Sequence, residues 1–307
     1  MSTLTSADRA LHEFGALVGA DDPIAVEGNR TRWHLGGPLD ESARLVKAPT
    51  GIVDYQPSEM VVTVRAGTTV AELHETLAAA GQTSALPDRG GTVGGAVAVG
   101  ENRLDRLGRG SVRDAVLQVR YVSAEGEIVT GGGPVVKNVS GFNLPKLIVG
   151  SLGTLGLIGE VVLRTNPIPP VQRWIRVERV DPRDIRDALL RPGAMLWDGT
   201  SSWALVEGHE VDVVAEVDKL ATLVDIANVD GPPELPPHRW LLSPQGAAHV
   251  DTMTDGAFIA SIGVGTVWAE EPPEPTEPDP VAGQIAERTK RLFDPSGRLN
   301  PGRRAGA

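Results

Sequence analysis

The spacing of apolar residues opens the chain with a helix. In residues 5–19, TSADRALHEFGALVG, Leu11, Phe14 and Leu17 share one face, Ser6 can cap the start and Gly19 can close the end. PIAVEGNRTRWHLGG changes period: a short apolar strand runs into a polar, glycine-edged loop. ARLVKAPTGIVDYQ reads as two strands joined by a Pro-Thr-Gly turn, and MVVTVRAG as a strand of β-branched residues. TTVAELHETLAAAG returns to the helical period, with Thr69 and Glu72 at capping-box spacing and Gly81 at the far end. TVGGAVAVGENRLDRLGRGSVRD has very small side chains and reads as a long loop. AVLQVRYVSAEGEIVTGGG is a hairpin around Glu125-Gly126.

The stretch GSLGTLGLIGE places glycine at 150, 153, 156 and 159. Four triplets without proline are not collagen, and an interior helix would lose about 1 kcal/mol per glycine. The spacing fits a tight turn entering a buried strand, LIGEVVLR. Glycine there supplies positive φ or lets backbone approach backbone or a ligand. The prolines at 167–170 mark a domain boundary. Beyond it DPRDIRDALL and HEVDVVAEVDKLATLV read as helices and SSWALVEG as a strand, and GPPELPP breaks the chain. WAEEPPEPTEPDP (268–280) holds five prolines and five acids and reads as a solvated, proline-stiffened linker. AGQIAERTKRLF is a last helix.

Length and composition narrow the chemistry. The 307 residues are enough for two domains. A net charge of −11 argues against general nucleic-acid binding and against adhesion to anionic lipid. With no cysteine, disulfides, thiolate nucleophiles, cysteine-ligated iron–sulfur clusters and cysteine-linked cofactors are excluded for this chain. The start lacks a secretory pattern and no run spans a membrane, so the expected location is cytoplasmic, peripheral to a membrane only through partners. The six histidines are scattered with no pair at helical spacing, so no metal site is expected.

Three segments carry candidate binding chemistry. In TVGGAVAVG (Thr92 to Gly100), Gly94 and Gly95 lie among small residues, as at a ligand wall or a buried turn. EGNRT (Glu27 to Thr31) can form an anion nest or an ordinary surface turn. In GRGSVRDAV, Ser111 and Asp114 can hold a ring edge or simply cap and turn. No Walker A loop, dinucleotide fingerprint or nucleophile elbow occurs; the glycines of 150–159 precede a strand, not a helix.

Taken in order, these segments resemble the vanillyl-alcohol-oxidase / p-cresol-methylhydroxylase (PCMH) type of FAD-binding domain, in the branch of the FAD-binding subunit of bacterial glycolate oxidases. The likeness rests on GIVDYQPSEMVVTVRAGTTVAELHETLAAAGQ, TVGGAVAVG, the run from GRGSVRD through KNVSGFNLPKLIVGSLGTLGLIGE to VVLR, and the tail LFDPSGRLNPGR. It covers about residues 24–168 and 284–303.

The resemblance implies an α+β fold. Two FAD-binding subdomains (1–60 and 61–168) would bracket the flavin. A reduced α+β cap (169–267), an acidic proline-rich linker (268–283) and a C-terminal segment returning to the FAD domain (284–307) would follow. By the same carry-over, Gly28, Asn29, Arg30 and Thr31 match the pyrophosphate loop. Pro87, Thr92, Val93, Gly94 and Gly95 match the wall along the flavin. Gly100, Ser111 and Asp114 match the loop that closes over it, and Ile158 a backbone contact. The pyrophosphate loop departs from the family in keeping only Gly28 of its glycines. It contains no histidine, so the implied FAD is noncovalent.

The implied function is oxidation of a 2-hydroxy acid such as glycolate, as a subunit beside a catalytic flavoprotein and an iron–sulfur subunit. A non-catalytic assembly subunit with weak or no FAD binding stands as the alternative. The sequence names no catalytic base. Arg89, Arg103, Arg106, Arg109 and Arg113 are expected near the flavin-side loops.

Overall fold

The computed structural model describes residues 6–133, 143–273 and 280–304. Most of the KNVSGFN segment and the centre of the acidic linker lie outside the described residues. Helices run at Ser6–Val18 (α1), Val70–Ala78 (α2), Val93–Val99 (α3), Arg106–Arg109 (α4), Val112–Ala115 (α5), Leu144–Ile148 (α6), Pro182–Ala188 (α7), Glu210–Ala221 (α8), Pro244–Ala247 (α9) and Pro280–Phe293 (α10). The chain divides into two units. Unit 1 takes the described residues of Met1–Arg103, Ser111–Ile168 and Glu277–Ala307, and unit 2 those of Leu104–Gly110 and Pro169–Thr276.

The strands of unit 1 are β1 (Ile24–Val26), β2 (Arg44–Val46), β3 (Ile52–Gln56), β4 (Val61–Arg65), β5 (Gln82–Ser84), β6 (Val116–Val122), β7 (Ile128–Gly132) and β8 (Leu157–Pro167). β1 and β2 form a parallel pair. The main sheet runs β3-β4-β8-β6-β7, antiparallel throughout, and β5 joins the far end of β8. The predicted hairpin is β6–β7, turning at Gly126 (φ 79°). The two strands flanking Pro49-Thr50-Gly51 exist but do not pair. β2 belongs to the small sheet and β3 to the large one, so the segment is a crossing rather than a hairpin. One apolar core takes in Leu11, Ile24, Val64, Leu73, Val97, Val119, Ile148, Leu163 and Leu299, from both sides of residue 60.

The glycine run now has separate explanations. Gly150 (φ 83°) and Gly153 (φ 71°) are left-handed, so they make the turn. Gly156 and Gly159 are in the approach: a Cβ would collide with the Tyr121 ring at the first and with Leu11 of α1 at the second. They let β8, buried along most of its length, lie flat in the centre of the sheet.

The small-residue stretch after Thr92 is not the loop expected from its composition. Residues 93–99 are helix α3, capped by Thr92, whose Oγ1 accepts from Gly95 N at 3.2 Å, and closed by left-handed Gly100. Glycine weakens a helix, but Val93, Ala96 and Val97 are all buried in the core, and that packing overrides local propensity. Gly94 permits the docking: a Cβ there would lie 2.7 Å from Ala66 Cβ.

Unit 2 holds β9 (Val171–Glu178), β10 (Ala194–Trp197), β11 (Ser201–Gly208), β12 (Ala227–Val229), β13 (His238–Leu241), β14 (Phe258–Ser261) and β15 (Thr266–Ala269) in one antiparallel sheet, ordered β12-β9-β11-β10-β14-β15-β13. Helices α7, α8 and α9 bury Ile185, Val213, Val217, Leu220 and Ala247 in one core with Ile175 and Ala260. Trp174, Trp203 and Trp268 meet Leu196 and Ile259 in a second cluster. β15 runs through Ala269. Trp268 and Ala269 are thus buried strand residues, not the start of the solvated linker, because Trp268 pairs with both Arg239 and Ile259. Arg109 ties Leu104–Gly110 into this unit: it meets Asp105 at 2.7 Å and Glu207 at 3.0 Å, all three side chains being buried or nearly so.

Candidate functional site

A cavity of about 330 Å³ opens in unit 1 where segments from six places converge. The loop after β1 supplies Gly28 to Arg32 and Trp33. The crossing after β2 supplies Lys47 and Thr50, and the end of β4 supplies Ala66 and Gly67. Gly91 and the first turn of α3 follow, then Leu152, Gly153 and the first residues of β8, and last Asn300 and Arg303 of the C-terminal tail.

The loop after β1 is fixed from both sides. Asn29 Nδ2 donates to Gly90 O at 2.8 Å, and Arg30 Nε donates to Glu27 Oε1 at 2.6 Å. The hydrogen bond from Arg30 holds the Glu27 carboxyl below its usual pKa. Gly28 must be glycine for packing, since a Cβ would lie 2.8 Å from Thr92 Oγ1. Arg32 Nε meets Glu101 Oε2 at 2.6 Å, and Arg89 reaches the other oxygen of Glu101 at 3.1 Å. The Nη2 of Arg32 is buried and has no hydrogen-bond partner. Trp33 carries two cations, with the guanidinium carbons of Arg30 and Arg303 at 5.0 and 4.8 Å from its ring centre. Burial lowers the pKa of Arg303 from its ordinary value.

Backbone strain gathers here. Among the described residues five non-glycine positions have positive φ, and three of them line the cavity: Arg30 (55°), Leu152 (52°) and Asn300 (44°). A non-glycine residue held there costs on the order of 1–3 kcal/mol, less for asparagine, and persists only where its surroundings over-determine it; such residues cluster at binding sites. Asn300 is held by donating Nδ2 to Leu152 O at 2.6 Å, so two of the three support each other.

Eight of the residues singled out from sequence line this cavity: Gly28, Asn29, Arg30, Thr31, Thr92, Gly94, Gly95 and Ile158. The others lie outside its lining. Val93 is in the core and Pro87 is buried. Gly100 closes α3 against Gly150. Ser111 caps α5 and donates to Asp114 Oδ2 at 2.6 Å, while Asp114 pairs with Lys146 at 3.0 Å. The expected arginine cluster is divided. Arg103 donates to Thr83 and Ser84 in unit 1, whereas Arg106 and Arg109 belong to unit 2 and Arg113 is exposed. Sequence reasoning did not single out Arg32, Trp33, Lys47, Leu152, Asn300 or Arg303. The tail motif LNPGR was the only signal for the last two.

The lining combines apolar wall with cationic side chains, the chemistry that the rings and the diphosphate of FAD require. Val26, Ala66, Ala98, Leu157 and Ile158 offer apolar wall, the clefts at Gly28 and Gly95 admit close approach, and the orphan Arg32 Nη2 awaits an acceptor.

Comparison with known proteins agrees. Residues 14–132 match the family model FAD_binding_4, an FAD binding domain. The chain is 32% identical to glycolate oxidase subunit GlcE of Escherichia coli (strain K12) over 215 residues, 67% of this chain and 61% of that protein. It is 31% identical over 150 residues to a D-lactate dehydrogenase of Archaeoglobus fulgidus, 47% of this chain and 33% of that one. The chain thus spans less than two thirds of the length of either relative. Among solved structures, alkyldihydroxyacetonephosphate synthase superposes with a TM-score of 0.62 over 94% of this chain and 73% of its own, at 14% identity, a likeness of fold. Residues 14–132 thus match the PCMH-type FAD binding domain, and FAD is the cofactor of this chain.

Proposed function

We propose that this chain is the FAD-binding subunit of a 2-hydroxy acid oxidoreductase that acts on glycolate or a close relative and passes electrons to partner subunits. The observation that carries the reading is the convergence of the loop after β1, the start of α3, the start of β8 and the C-terminal tail on one cavity. The named relatives, a glycolate oxidase subunit and D-lactate dehydrogenases, support the substrate class.

When bound, FAD supplies a two-electron acceptor for oxidation of the hydroxyl-bearing carbon. The chain's own residues bind and orient it. Gly28 and Gly95 present no side chain to the cavity, Thr92 caps the first turn of α3, and Leu157 and Ile158 supply apolar wall. Attachment is noncovalent, because the chain has no cysteine and, among the described residues, no histidine lines the cavity. Ser111 bonds Asp114, which in turn meets Lys146, an arrangement that supports a role in shaping the segment around α5 rather than in proton transfer.

The test is steady-state turnover of glycolate and lactate with a dye acceptor, by the isolated chain and by a complex co-expressed with a second flavoprotein and an iron–sulfur protein. The complex is expected to turn over, and the isolated chain to do so slowly or not at all. A yellow isolated chain matching the complex in rate would replace the subunit reading with a stand-alone oxidoreductase. A colourless chain that still raised the complex's activity would make it an assembly subunit, a role that the loss of loop glycines favours.

A further inference from the structure

The chain carries a net charge of −11, yet the wall of its unit 1 cavity has the opposite sign. Arg30, Arg32, Lys47 and Arg303 line it against a single carboxylate, Glu27. A concave surface with one sign of charge concentrates ligands of the other. Glu27 is already engaged by Arg30.

Two of these cations stand ready. Glu101 holds Arg32 through Nε and leaves the buried Nη2 with no acceptor. A buried donor left unpaired is destabilising, and an anionic oxygen at that point would satisfy it. Arg303 reaches the cavity from the C-terminal tail, fixed by stacking on Trp33 and by donating Nη1 to Leu35 O. The tail itself is anchored, with Asn300 bonded to Leu152 and Arg304 N donating to Gly36 O at 2.8 Å. A planar guanidinium on a fixed stem suits phosphoryl oxygens, which accept two of its N–H groups at once.

We propose that Arg32 and Arg303 grip the diphosphate of the bound FAD with side chains, replacing a backbone nest of which the loop keeps only Gly28. The C-terminal tail is then a binding element for the cofactor. The proposal rests on the reading of this cavity as the flavin site.

Flavin-free wild type, Arg32→Gln and Arg303→Gln are titrated with FAD and with riboflavin, which lacks the diphosphate, following flavin fluorescence. Each substitution should weaken FAD about tenfold or more, the loss of one charge-assisted contact. Riboflavin affinity should stay within about twofold, and added salt should weaken FAD less in the variants than in wild type. In Arg32→Gln, Glu101 keeps its contact with Arg89, so the surroundings stay paired. FAD affinity unchanged in both variants overturns the proposal. So does an equal fall for FAD and riboflavin, which would mark general damage. A wild type that binds neither overturns the flavin reading itself.

Discussion

Gly156 and the ring of Tyr121 compete for one space. A Cβ on Gly156 would fall well inside van der Waals contact with the ring carbons, and Tyr121 is buried with no room to yield. Gly156 has no positive φ, so its need for glycine is a matter of packing alone. Gly156→Ala should cost about 1–3 kcal/mol through overpacking. Gly283→Ala, on an open position of α10, should stabilise slightly. Thermal melts of the two, expected to move in opposite directions, check the claim.

Gly95 needs glycine for a different reason. It is exposed at the cavity, its φ is ordinary, and a Cβ would meet only Thr92 Oγ1 at 3.2 Å. Gly95→Val should therefore leave the melting temperature close to wild type and abolish FAD retention. Flavin content of the purified variant decides; full occupancy would mean that the cofactor does not run along this turn of α3.

Arg298 closes the tail onto the start of the chain. Its guanidinium donates to Asp22 O at 2.9 Å, Val18 O at 3.0 Å and Ala124 O at 3.1 Å. Arg298→Met removes these donors and leaves the carbonyls of Asp22 and Ala124 poorly satisfied. The expected cost is about 2–4 kcal/mol. Denaturant unfolding measures it, and flavin affinity should fall in parallel if the tail is a binding element.

Asp181 caps α7 in unit 2. It accepts from Arg183 N at 2.8 Å and pairs with the guanidinium at 2.6 Å. The hydrogen bonds from Arg183 lower its pKa from the ordinary 3.8. A carboxyl depressed on folding adds stability above its unfolded pKa and loses it as pH falls through the folded value. Asp181→Ala should cost about 1 kcal/mol at neutral pH. The gap from wild type should narrow once the pH drops below that range, as read by denaturant midpoints.

Elements with strong periodicity were legible from sequence. The helices at α1, α2, α7, α8 and α10, the β6–β7 hairpin and the buried entry into β8 all stand where the spacing of apolar residues puts them. The failures share a cause. Helix α3 was hidden because Gly94 and Gly95 lower local propensity, and only contact with Ala66 and the core recovers it. The cavity's far wall was hidden because Arg303 and Trp33 are 270 residues apart and nothing local links them. The partition of the arginines at 103–113 was hidden because the chain changes unit twice within that run.

That double change has a consequence for inheritance. Unit 2 is not a contiguous cassette. A fragment of residues 169–276 would lack Leu107, which packs in its core, and would leave the nearly buried Glu207 without Arg109. Recombination that exchanged only the long segment for another protein's would split a charge pair whose halves lie 98 residues apart. A transplant of this unit has to carry Leu104–Gly110 as well, so the short excursion acts as a key that ties the evolutionary fate of the longer segment to the gene around it.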